Sequence, residues 1–85
     1  MAGVVIAMTL TNRATAIFAS PLQPSESPGQ PEITAAIRVS LLTHGGAAGC
    51  AAIVAAEYGE HPDTAVPRMR WALRLAAADR LVAAA

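Results

Sequence analysis

Lysine is missing from this 85-residue chain, and all six of its basic residues are arginines. With alanine filling about a quarter of the positions, that bias reads as GC pressure on the coding sequence rather than a functional demand. A single cysteine, Cys50, excludes an intramolecular disulfide and the paired cysteines of a structural zinc site. One cysteine also fits a reducing cytoplasm. Charge is scarce, at 14% of residues, and cancels to a formal net charge of zero. Paired carboxylates in an apolar pocket and a phosphate-cradling glycine loop are both lacking, and a chain this short leaves little room for a cleft. It therefore reads as a non-enzyme without a cofactor. His44, Cys50 and His61, with Glu57 or Asp63 as a fourth ligand, follow no zinc spacing, so no metal is expected.

Long hydrophobic runs are lacking too. Val4 to Met8 is too short to span a bilayer, and Arg13 follows that run instead of preceding it as a secretory signal requires. No membrane attachment is expected. The first twenty residues show neither a helical nor an alternating period, and Met8 could itself serve as a start. They read as a disordered leader. From Ser20 to Glu32 the sequence SPLQPSESPGQPE holds four prolines, a glycine and three serines, which is linker composition. Residues 1–32 are thus assigned to leader and Pro-rich linker, and residues 33–85 to the folded domain.

What remains is rich in helix formers. Pro31 suits a first helical position, and Ile33, Ile37 and Leu41 repeat at four-residue steps until Gly45 and Gly46 stop a helix near Thr43. A second helix is predicted over 47–58, ended by Gly59. A third, capped by Asp63 or Thr64 and carrying Pro67 early, runs to about Val82. The expected fold is all-α, a three-helix helix-turn-helix domain behind a disordered N-terminal arm.

The charges support a nucleic-acid reading, because they are segregated. Glu57, Glu60 and Asp63 surround the proposed turn, whereas Arg68, Arg70, Arg74 and Arg80 follow it with only Asp79 opposing them. In the common helix-turn-helix spacing a small residue stands four positions before the turn glycine, here Ala55 before Gly59. Apolar residues are wanted six and nine positions after it. Those places hold Ala65 and Arg68, and the second is wrong for a core. A turn longer by one residue would put Val66 and Met69 there, with Leu73 and Ala76 continuing the stripe. Arg68 then projects outward beside Thr64. On this reading Thr64 and Arg68 meet base edges of double-stranded DNA, and Arg70 and Arg74 meet phosphates. A second stripe, Trp71, Leu75, Ala78 and Val82, is expected to bury itself in a homodimer suited to an inverted-repeat operator, or else under the first helix or the linker.

The segment GAAGCAAIVAAEYGEHPDTAVPRMRW, within residues 33–75, resembles the small Kor-type (kil-override) repressors of Streptomyces conjugative plasmids. That resemblance implies a cytoplasmic repressor of plasmid transfer or kil genes and of its own promoter. The alternative from the same residues is a small helical interaction protein, antitoxin-like or accessory, that docks through its Trp71 stripe.

Overall fold

The computed structural model describes the backbone of residues 8–84 and the side chains of residues 8–78. Among the described residues there are four helices: α1 (Leu10–Ala19), α2 (Gln30–His44), α3 (Ala47–Glu60) and α4 (Pro62–Ala84). A short 3-10 turn, Pro24–Glu26, interrupts the link between α1 and α2. Among the described residues there is no strand. The all-helical expectation is met, with one helix more than the periodicity predicted.

The added helix is α1, and it corrects the assignment of residues 1–32 to leader and linker. Thr9 caps its start, its hydroxyl accepting from the Asn12 amide at 3.1 Å. Every residue from Arg13 to Phe18 is buried, Arg13 with only 3% of its surface exposed. A helix covered on all sides needs no polar stripe, so it carries no 3.6-residue period to detect. Ala14 and Ala16 have no exposed surface, which lets the other helices approach α1 closely. Thr15 satisfies its own buried hydroxyl by donating to Thr11 O at 2.7 Å. Residues 1–7, the rest of the expected leader, lie outside the described residues.

Around α1 the other three helices close a core of Ile17, Phe18, Ile33, Ile37, Cys50 and Trp71, filled in by alanines. The α2 helix begins where Pro31 and the Glu32 carboxylate, which accepts from the Gly29 amide at 3.2 Å, favour it. It ends in a left-handed glycine, Gly45 (φ 77°), and Gly46 (φ 93°) donates back to Leu41 O at 2.7 Å. These two residues turn the chain by 90° into α3. Gly49 then lies so close to α2 that an added Cβ would come within 1.4 Å of His44 O. Where α3 meets α2, the buried Cys50 thiol donates to Ser40 O at 3.6 Å.

Between α3 and α4 the predicted glycine turn does not form. Gly59 is helical with open space around it, and the break is a single residue, His61 (φ −138°, ψ 60°). Its carbonyl receives the amides of Thr64 and Ala65 and the Thr64 hydroxyl, so α4 starts at Pro62. Proline suits that first position, and Asp63 and Thr64 fall within the first turn instead of capping it. Pro67 sits further in than expected and leaves Asp63 O without its usual helical donor. No single helix among the described residues is long and apolar enough to cross a membrane, although α2 and α3 taken together pass that test as a bent pair.

Candidate functional site

The two stripes expected on α4 are each met only in part: Ala76 is buried and Met69 packs against the core as expected, but Val66 and Leu73 do not enter it. Ala65, Ala72 and Ala76 are buried, and Trp71 is 8% exposed. Val66 and Leu73, expected in the core, stand 36% and 37% exposed, while Met69 is half-buried against it. The regular spacing after Gly59 is therefore the one that points inward, through Ala65 and Arg68. Trp71 lies in the core and Leu75 packs against it, Ala78 is exposed, and Val82 lies beyond the described side chains.

Arg68 explains why a cation stands at a core position. Its Nε donates to Phe18 O at 3.0 Å, and its Nη2 donates to Ser20 O at 2.9 Å and to Leu22 O at 3.0 Å. The guanidinium carbon also lies 5.5 Å from the Phe18 ring centre and 4.9 Å from that of Trp71, within cation–π range of both. Burial holds its pKa below the ordinary arginine value, partly offset by the charge of Glu57. The last carbonyls of a helix have no partner within it. At α1 they are supplied from outside: Arg68 takes Phe18 O, and His44 Nε2 on α2 donates to Ala19 O at 3.2 Å. Ser20 covers Ile17 O with both its amide (3.1 Å) and its hydroxyl (2.5 Å). Phe18 further stacks on Tyr58 of α3, with ring centres 6.4 Å apart. All four helices thus converge on the end of α1.

Two clefts flank this junction. One, of about 330 Å³, lies between the α1 end and α3, lined by Ser20, Ile53, Glu57, Thr64 and Arg68. The other, about 500 Å³, runs under Pro24 past Pro67 and Trp71 to Arg74. Of the residues read as DNA contacts, Thr64, Arg68 and Arg74 share that second cleft, while Arg70 is exposed and lines neither. The outward projection expected of Arg68 is overturned, because its fork is occupied by three carbonyls. Phe18, Ser20, Leu22 and His44 were not singled out as members of this junction. Their one signal was Arg68 itself, a charge at a position the spacing reserves for the core.

The remaining surface divides by charge. On α3 the exposed positions Ala48, Ala51, Ala52, Ile53, Ala55 and Ala56 bear no charge, and acids begin only at its C-terminal end with Glu57 and Glu60. Val39 and Leu42 of α2 are also exposed, the latter at 79%. Arg70 and Arg74 stand exposed on α4. Among the described residues no three His, Cys, Asp or Glu side chains gather to hold a metal ion. Compared with family models, curated proteins and solved structures, the chain matches none.

Proposed function

We propose that this chain is a small helical interaction protein that docks on another protein through the outer face of α3. The carrying observation is the set of exposed uncharged positions Ala48, Ala51, Ala52, Ile53, Ala55 and Ala56. An exposed face that only had to stay in water would carry charges, as mixed polar surfaces do. Methyl side chains instead let a second backbone come close, and burying them costs little side-chain entropy. Glu57 and Glu60 lie in the last turn of α3, at the negative end of its dipole. The fitting partner is an apolar helical face that ends in Lys or Arg.

The test places a photo-crosslinking residue at position 56 of the full chain in host cells, with and without Ala52→Glu and Ala55→Glu. A discrete adduct is expected from the parent and should vanish in the doubly charged variant, with the melting temperature unchanged. An adduct that survives the charges, or none from the parent, would overturn the reading.

A second reading, the DNA-binding repressor, is favoured by one observation: Arg70 and Arg74 are exposed on α4 with Thr64 nearer its start. Against it stand the inward Arg68 and the missing glycine turn. Titration of a promoter duplex and a random duplex at two salt concentrations separates the readings. Preferential, salt-sensitive binding that Arg70→Ala and Arg74→Ala abolish would favour the repressor.

A further inference from the structure

The way α1 is attached carries a second interaction. It packs against all three other helices, which pack more sparsely against one another, so α2, α3 and α4 form a groove and α1 is the helix that fills it. The groove wall is Ile33, Ile37, Trp71, Ala72 and Ala76. Its occupant is tethered by Ser20–Gly29, a segment with little else to do. Arg68 holds the Ser20 and Leu22 carbonyls, but the hydrogen bonds seen for residues 23–29 stay within the segment or end in the first turn of α2, at Glu32 and Ile33.

That tether folds back through one strained residue. Ser27 is the only non-glycine residue with positive φ among the described residues (φ 46°, ψ 58°), and it precedes Pro28. A left-handed conformation is costly for any L residue with a Cβ, and a following proline drives the backbone towards the extended region instead. Pro21, Pro24 and Pro28 favour the extended form as well. Fully extended, the ten residues from Ser20 to Gly29 span roughly 33 Å. That exceeds the 26 Å second dimension of the molecule.

We infer that this chain forms a two-fold dimer by exchanging α1, the α1 of each copy filling the groove of the other. The occupant is a second copy because only another α1 restores every contact, including the three Arg68 bonds and the His44 bond to Ala19 O. The exchanged form also releases the Ser27 turn. It is independent of the α3 face, which stays outside in both forms. Because α1 cannot leave without dismantling the core, monomer and dimer interconvert only as fast as the chain unfolds.

The experiment is size-exclusion chromatography with light scattering on the full chain, on Ser27→Pro and on Ser27→Gly. Proline cannot adopt positive φ, so Ser27→Pro should raise the dimerisation constant by about tenfold per hinge; Ser27→Gly, which tolerates the turn, should shift the chain towards monomer. A second measurement mixes full-length Ile17→Asp, with a ruined α1, and full-length Ala72→Asp, with a ruined groove. Each alone should lack cooperative unfolding, and the mixture should regain it, because one intact α1 meets one intact groove. A monomeric Ser27→Pro with native helix content, or a mixture that regains nothing, overturns the proposal. So does a dimer that Ala52→Glu dissolves, since that dimer would be held by the α3 face.

Discussion

The helices α1 and α3 invert what their compositions suggest. The first holds Thr11, Asn12, Arg13 and Thr15 within ten residues, and it is the most enclosed element of the fold. The other has six alanines with Ile53 and Val54 and no charge before Glu57, yet only Cys50 of its fourteen residues is buried. Burial here follows from where a helix lies among its neighbours. Polar atoms are tolerated in α1 because its ends and hydroxyls find partners: Thr9 at the start, and Ser20, His44 and Arg68 at the finish.

The strongest way to break this contrast is Ile17→Asp. An unpaired carboxylate in the centre of the core should cost more than about 4 kcal/mol, which exceeds what so small a domain can spare. Circular dichroism should show loss of the cooperative melt. Gly49→Ala comes next, because the new methyl meets a backbone carbonyl that cannot swing aside. About 3 kcal/mol is expected from the forced separation of α2 and α3, read in a urea titration. Arg68→Ala should cost about 2–3 kcal/mol by leaving carbonyls at the α1 end unmet, whereas Arg70→Ala should change stability by less than about 0.5 kcal/mol. An equal effect of the two arginine changes would erase the distinction between them. Smallest is Ala52→Glu, expected within about 0.5 kcal/mol of the parent in the same titration.

The sequence made α2 legible because it has a one-sided stripe and hard stops, Pro31 before it and Gly45–Gly46 after it. Both boundaries fall within a residue or two of the prediction. The start of α4 was read two or three residues late, since Pro62 opens it directly after His61. The α1 helix left no trace because periodicity reports a boundary between core and water, and this helix has water on no side beyond Asn12. The same blindness misplaced Val66 and Leu73 on α4, though Met69 and Ala76 pack inward as expected. Val66 and Leu73 looked like core by size, but the element facing them there is solvent, while alanines fit against the closely packed α1. Of the residues read as DNA contacts, Thr64, Arg70 and Arg74 lie on the surface as expected. Arg68 does not, because the acceptors it serves belong to a helix that the sequence had not revealed.

Native-state hydrogen exchange on the full chain reports whether α1 is the buried centre of the fold. The amides of Ala14 to Phe18 are expected to exchange only through global unfolding and to rank with the slowest in the molecule, while those of Gln23 to Gly29 exchange orders of magnitude faster. Exchange of the α1 amides as fast as that of the linker would contradict the account, and residues 1–32 would revert to a leader with the core of the protein elsewhere.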